Sequence, residues 1–303
     1  MKFYDLSVAE IASRLRKGLN FKTGIFTIRL FSDLSDLPAL LRQLHAEYPL
    51  VEESVFADFH VRLFQNRIIF RLFYPDVRLW VDEETPFFSF SPDTALPYLE
   101  WGLNWCVASR AHHYLMLHAG VLERNGHAML LPAWPGSGKS TLCAALCHRG
   151  WRLLSDEFAL VRPEDLALVP FPRLIPLKNE SIAVVRAFTP EAVMGPEYPK
   201  TRKGTVCHVR PPADSIRRAE QIVQARWIVF PNFQAGADLK VSSLAKARAF
   251  LKLAGNSFNY EQIGLRGFET VASLIDCCDC YLFQYSDLEQ AVAQLNALAD
   301  GLI

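Results

Sequence analysis

The residues through which a chain most simply grips phosphate are glycine, lysine and serine at fixed spacing. They occur here in the run Leu130-Leu131-Pro132-Ala133-Trp134-Pro135-Gly136-Ser137-Gly138-Lys139-Ser140-Thr141. An apolar stretch feeds a glycine-rich turn, and Lys-Ser-Thr then opens a helical pattern from Leu142 to Arg149. The pattern is G-x-x-x-x-G-K-[ST] with Ala133 standing at the first glycine, a change that a negative φ tolerates. In such a P-loop, Pro135–Thr141 curl around the phosphates of ATP, the backbone N–H groups from Gly136 onward pointing at them. Lys139 reaches the β- and γ-phosphates, and the Ser140 hydroxyl is placed on Mg²⁺.

Transfer of a phosphoryl group needs carboxylates as well, one towards the metal and one to orient or deprotonate the attacking hydroxyl. Trp151-Arg152-Leu153-Leu154-Ser155-Asp156-Glu157 reads as a strand ending in two adjacent acids. Neighbouring residues at a strand end point to opposite sides, so one acid can face a metal and the other an acceptor. Leu153, Leu154, Phe158 and Leu160 make the surroundings too apolar for acids of a solvated turn. His118 lies 21 residues before Lys139, on a strand expected to run opposite the one that feeds the loop. A histidine at the loop's mouth can hydrogen-bond the acids or the transferred group; a satisfied core histidine accounts for it equally well.

These groups must be positioned by the elements around them. Leu96–Arg110 reads as a helix with Leu99, Leu103, Cys106 and Val107 on one stripe. Tyr114–Glu123 and His127–Leu131 are apolar strands joined at Asn125-Gly126, the strongest short hairpin signal. The phosphate loop is thus expected to follow an antiparallel strand. Downstream, a hairpin across Arg162–Asp165 leads to a strand at Leu166–Val169, and further strands are expected at Trp227–Phe230 and Cys280–Phe283. Helices are expected at Leu244–Leu253, at Gly267–Ile275 and after a Ser286 cap. Residues 189–212 read as an irregular, basic segment, the kind that often carries function. Lys178, Arg202 and Lys203 are secondary candidates for a cation at the transition state.

Upstream, Ser7-Val8-Ala9-Glu10 is a capping box opening a helix that Gly18 stops. A strand is expected at Gly24–Phe31, a helix at Asp36–Glu47, and short strands at Phe59–Leu63, Ile68–Tyr74, Val77–Val81 and Phe87–Phe90. Aromatic side chains are dense here, and no catalytic constellation appears. Residues 1–92 therefore read as a small α/β module, a candidate surface for an acceptor or partner, and 93–303 as the domain holding the phosphate loop.

The 303 residues carry a formal net charge of zero, which argues against nucleic acid or a membrane surface as a charge-driven partner. Met1–Asp5 lacks the layout of a signal peptide, and no apolar run approaches a membrane-spanning length. A cytoplasmic location is the expectation, and seven cysteines, an odd number, suit a reducing compartment. Cys277-Cys278-Asp279-Cys280 holds one C-x-x-C, but a zinc site needs a second ligand pair, and Cys207-His208 has no matching spacing. Cys143 and Cys147, one helical turn apart, read as core.

His118-Ala119-Gly120, the Asn-Gly hairpin, the phosphate loop and the Leu-Leu-Ser-Asp-Glu strand together resemble the HPr kinase/phosphorylase family. More closely, they are similar to the HPr-kinase-related group of PEP-carboxykinase-like P-loop kinases. The likeness is strong over residues 112–162, loose from there to Ile303, and does not cover 1–92. It implies an α/β (α+β) fold, a P-loop kinase core built on a mixed or antiparallel sheet, and transfer from ATP with Mg²⁺ to a serine of a peptide or small protein, with a homo-oligomer as a possible assembly. Carried over by position, Lys139 and Ser140 would hold the nucleotide phosphates and the metal. Asp156 would be the general base, His118 the histidine coupled to it, and Glu157 the metal-side acid in place of the family's aspartate. No segment matches the family's E-[IV]-R-G-[LI]-G run, so phosphorylase activity and recognition of HPr are not carried over. Two rivals stand beside a serine kinase: a small-molecule kinase on the same scaffold, and a nucleotide-gated regulatory module without efficient transfer.

Overall fold

A computed structural model describes residues 1–66, 76–134 and 136–302. The strand expected at Ile68–Tyr74 lies outside the described residues, as does Pro135. The chain parts into two compact units. The first comprises Met1–Arg110, Pro176–Asn179 and Val193–Arg210, and the second Ala111–Ile175, Glu180–Ala192 and Pro211–Ile303. The first unit thus extends beyond residue 92 to take in the helix that follows, and the chain returns to it twice.

The first unit opens with α1 (Val8–Lys17), whose capping box forms as expected between Ser7 and Glu10. The next segment corrects the sequence reading. Instead of one strand at Gly24–Phe31 there is a hairpin, β1 (Leu19–Thr23) and β2 (Phe26–Ser32), turning at Gly24 with φ +59°. Then come α2 (Leu37–Leu44), β3 (Phe59–Gln65), β4 (Val77–Val81) and α3 (Ala95–Arg110). The four strands form a sheet in the order β1-β2-β3-β4, with β2 and β3 parallel. No strand forms at Phe87–Phe90: only Phe90 bridges to Val77, and Phe88 is 79% exposed.

The second unit begins with the predicted hairpin, β5 (Leu115–Arg124) and β6 (His127–Pro132). Asn125 and Gly126 have φ of +55° and +80°, the doubly left-handed turn that matches the twist of paired strands. It continues through α4 (Lys139–Cys147), β7 (Arg152–Ser155), β8 (Phe158–Val161) and β9 (Ala167–Val169). Next in the chain are β10 (Ile175–Lys178), α5 (Glu180–Phe188), β11 (Tyr198–Thr201) and β12 (Gly204–Val209), of which α5 belongs to the second unit while β11, β12 and Pro176–Lys178 of β10 belong to the first. The segment read as irregular is therefore largely a hairpin, and β10, β12 and β11 form a three-stranded sheet. The basic residues and the Pro and Gly of this segment hid it, but its backbone groups are paired: Asn179 N donates to Thr205 O at 2.9 Å and Thr205 N to Asn179 Oδ1 at 3.1 Å.

The chain closes with α6 (Ala213–Arg217), β13 (Val223–Phe233), β14 (Lys240–Ser243), α7 (Lys246–Ala254), α8 (Leu265–Cys277), β15 (Asp279–Tyr285) and α9 (Leu288–Ala299). The cap of α9 is Asp287, whose carboxylate accepts from Gln290 N, and not the expected Ser286.

The main sheet is mixed and runs β14-β15-β13-β6-β5-β8-β9, with β7 also on β5. β5 lies antiparallel to β6, as the hairpin requires, but β13 gives β6 a parallel neighbour on its other side. β15 is parallel to β13 in turn. The carboxyl ends of β6, β13 and β15 therefore converge on one edge, where open α/β sheets place their ligands. One core lies between the strands and α7–α8, holding Leu117, Ala119, Leu130, Ile228, Leu253 and Leu274. On β5, α4 packs together with α5 and α9.

Candidate functional site

The glycine loop leaves β6 at Pro132 and delivers Lys139 to the first turn of α4. Ala133 is not among the described residues with positive φ, so its methyl group meets the condition set for replacing glycine. Gly136 and Gly138 have φ of +91° and +84°, a conformation side chains disfavour. Gly138 also lies where a Cβ would strike the Tyr285 hydroxyl, which itself donates to Gly138 O at 3.2 Å. Phe233 N donates to Ser137 O at 3.1 Å. The ends of β13 and β15 thus brace the loop. Trp134, in the loop, is 63% exposed.

A second close approach seats α4 on the sheet. A Cβ on Gly120 would fall inside the sulfur of Cys143, so only glycine at that position of β5 lets the helix come this near. Burial pushes the Cys143 thiol well above its ordinary pKa, and the neighbouring Asp156 carboxylate adds to this. It is a packing group.

The acids sit where β7 hands over to β8. Ser155 Oγ accepts from Phe158 N at 3.0 Å and Glu157 N at 3.3 Å, which fixes the turn carrying Asp156 and Glu157. Asp156 is 4% exposed and meets the head of α4. Ser140 Oγ donates to Asp156 Oδ2 at 2.8 Å. Lys139 Nζ lies 3.3 Å from Asp156 Oδ1 and donates to Asp156 O. Burial alone would drive the Lys139 ammonium to release its proton; the Asp156 and Glu157 carboxylates outweigh that and hold its pKa above the lysine norm. Glu157 turns the other way, its Oε1 lying 3.8 Å from His118 Nε2.

The structure thus brings together Lys139, Ser140, Asp156, Glu157 and His118, but not in the pairs the sequence implied. His118 faces Glu157 and not Asp156, while Asp156 sits with Ser140 and Lys139. The reason is the strand-end alternation itself: Ser155 pairs with Val121, Phe158 with His118, and the two acids between them fall on opposite sides. Thr141 follows in α4 and Ser137 folds its hydroxyl onto Trp134 O at 2.8 Å. Lys178, Arg202 and Lys203 belong to the first unit. There the Arg202 guanidinium stacks 5.5 Å from the Phe88 ring, and the Lys203 ammonium lies 5.2 Å from that of Trp101.

Asn256 and Phe258 join the site without any motif to announce them. Asn256 exchanges two hydrogen bonds with His118: His118 N donates to Asn256 O at 2.8 Å, and Asn256 Nδ2 to His118 O at 2.9 Å. Beyond the end of β6 this segment takes the vacated place beside β5, and the Phe258 ring lies 5.5 Å from that of His118. Only a long-range pairing reveals them, and no local pattern encodes it.

Side by side, a serine hydroxyl and a carboxylate make an oxygen pair of the kind Mg²⁺ takes when phosphates complete its shell. Among the described residues no group of three or more His, Cys, Asp or Glu could hold a metal ion. Burial raises the thiol pKa of Cys278 to about 12 and of Cys280 to about 11, so both stay protonated. No helix among the described residues is long and apolar enough to cross a membrane.

No family model matches this chain, and neither does any curated protein. Among solved structures it is similar to the HPr(Ser) kinase/phosphatase from Coxiella burnetii. That match has 12% identity, covers 61% of this chain and 95% of the other, and has a TM-score of 0.30. At that distance the two backbones differ too much for residue roles to pass between them.

Proposed function

We propose that this protein is a phosphotransferase that moves the γ-phosphoryl group of ATP to a hydroxyl. The observation that carries the reading is the junction of α4 with the β7–β8 turn. There a buried lysine and the following serine meet one acid, and the adjacent acid meets a histidine. Loop amides and Lys139 bind the triphosphate; Ser140 and Asp156 are the residues that would hold Mg²⁺, which when bound would supply neutralisation of phosphate charge. Glu157 takes the acceptor's proton as its oxygen bonds to the γ-phosphorus and the bridging P–O bond breaks, releasing ADP. His118 orients Glu157. Relative to the family expectation, the two acids exchange roles.

The resemblance points to serine in a peptide or small protein as acceptor, with residues 1–92 as its docking module. A second reading, a small-molecule acceptor, is favoured by a cavity beside the loop, described below. The test is transfer of label from γ-labelled ATP in the Glu157→Gln and Asp156→Asn variants. Glu157→Gln should cut transfer about 10²- to 10⁴-fold, the usual worth of a general base, with Mg·ATP binding intact. Asp156→Asn should instead raise the Mg²⁺ concentration needed. The reverse pattern would return the base to Asp156, and tight nucleotide binding without transfer to any acceptor would favour a regulatory module.

A further inference from the structure

A cavity of about 600 Å³ opens beside the glycine loop at the carboxyl ends of β6, β13 and β15. Trp134 and Ser137 form its loop-side wall, while Lys240 of β14, Lys252 of α7 and Asn256 face it from the sheet and helix. Among the described residues its lining holds those two lysines and no aspartate or glutamate. Lys240 stands opposite Gln284 in the β14–β15 register, and the Lys252 ammonium lies 5.8 Å from the Phe230 ring centroid. Through Asn256 the wall is hydrogen-bonded to the backbone of His118.

Two ammonium groups facing an open cavity with no carboxylate are matched by an anion. The triphosphate already has the loop amides and Lys139, and a nucleobase and a ribose are uncharged and do not call for two cations. The remaining reactant is the acceptor. Resting on the phosphotransfer reading above, we infer that the acceptor is a small hydroxyl compound carrying a phosphate or carboxylate, whose oxyanion is held by Lys240 and Lys252 while its hydroxyl reaches Glu157.

The test uses the full chain, inorganic phosphate as probe, and calorimetric titration with the loop saturated by a non-hydrolysable ATP analogue and Mg²⁺. Wild type should bind phosphate beyond the analogue, and Lys240→Gln and Lys252→Gln should each weaken phosphate about tenfold, one charge-assisted hydrogen bond's worth. Analogue affinity should be the same in both variants. Equal phosphate binding by all three proteins overturns the inference and leaves the phosphotransfer reading standing. Weaker analogue binding in the lysine variants also overturns it, because the lysines then serve the nucleotide. If wild type binds no analogue but its phosphate binding still depends on the lysines, the phosphotransfer reading falls and the oxyanion site stands.

Discussion

Two buried ion pairs lie at opposite ends of β7, Arg152 with Glu123 at its start and Asp156 with Lys139 just past its end, and they are built differently. At the hairpin end Glu123 is surrounded: its Oε1 accepts from Gly126 N at 2.8 Å and its Oε2 from Arg152 Nε at 2.7 Å, while the Arg218 guanidinium forms an ion pair with Oε2 at 3.0 Å. Arg152 in turn donates to Arg218 O at 2.8 Å and Gln221 O at 3.0 Å. The partners come from the hairpin turn, from β7 and from the stretch that follows α6. At the loop end Asp156 meets a hydroxyl and an ammonium that both sit on the first turn of α4. Those two groups are the ones a phosphate loop turns towards a nucleotide. The first pair is closed and holds the fold together; on the proposed phosphotransfer reading the second is held ready, because a bound Mg·ATP would replace each of its contacts.

The largest expected effect separates the two ends by function. Lys139→Met should lower phosphoryl transfer by about 10²- to 10³-fold, the cost of one preorganised donor at a developing charge. Its cost to stability should be smaller than that of breaking the hairpin-end pair, because Asp156 keeps the Ser140 hydroxyl. Label transfer and urea unfolding of the same preparation measure both. An unfolding loss as large as that of Arg152→Met would show the loop pair to be structural.

Arg152→Met is the converse. It leaves Glu123 buried without its main cation, a change that costs about 3–5 kcal/mol. The urea midpoint should fall accordingly while transfer per folded molecule stays within a few-fold. A midpoint unchanged from wild type would mean that the hairpin-end pair contributes no net stability.

The contrast also marks what the chain spelled out locally. Asn125-Gly126, the glycine loop and the acids after Leu154 were legible because turn conformation, phosphate binding and buried charge each demand particular residue types at short range. The Glu157–His118 pairing was not, since it depends on which way a strand end faces after the Ser155 turn. The β11–β12 hairpin stayed hidden because β11 is short and polar and the partner strand, β10, lies farther back in the chain. Asn256, Lys240 and Lys252 carry no local pattern at all; they reach the loop through β13, β15 and α7, which meet it only in the folded sheet.

Gly120→Ala probes the seam between the two ends, since β5 carries Glu123 and also seats α4, the helix that bears Lys139. The added methyl group must displace Cys143 and with it the helix bearing Lys139. Overpacking of this kind costs about 1–3 kcal/mol. Transfer should fall further than stability explains, because the displaced residue is one turn from the ammonium. Adding Cys143→Ala should restore both, and a double variant with stability restored but transfer still lost would place Gly120 in contact with substrate.

The smallest effect tests how far the closed pair depends on its rim. Arg218 is partly exposed and also meets Asp214 at 3.2 Å, so Arg218→Ala should cost about 0.2–1 kcal/mol, as exposed pairs do. Its diagnostic is pH. Burial alone would raise the Glu123 carboxyl, but the Gly126 N–H and the two arginines outweigh that and hold it below its usual value near 4.5. A carboxyl depressed in the folded state contributes stability above the unfolded value, and that contribution is lost as pH falls through the folded one. Urea midpoints should therefore drop on acidification below about pH 4.5 in wild type, with a shallower slope in Arg218→Ala and the shallowest in Glu123→Gln. Equal slopes in all three would assign the acid sensitivity to other carboxylates and confine the hairpin-end cluster to packing.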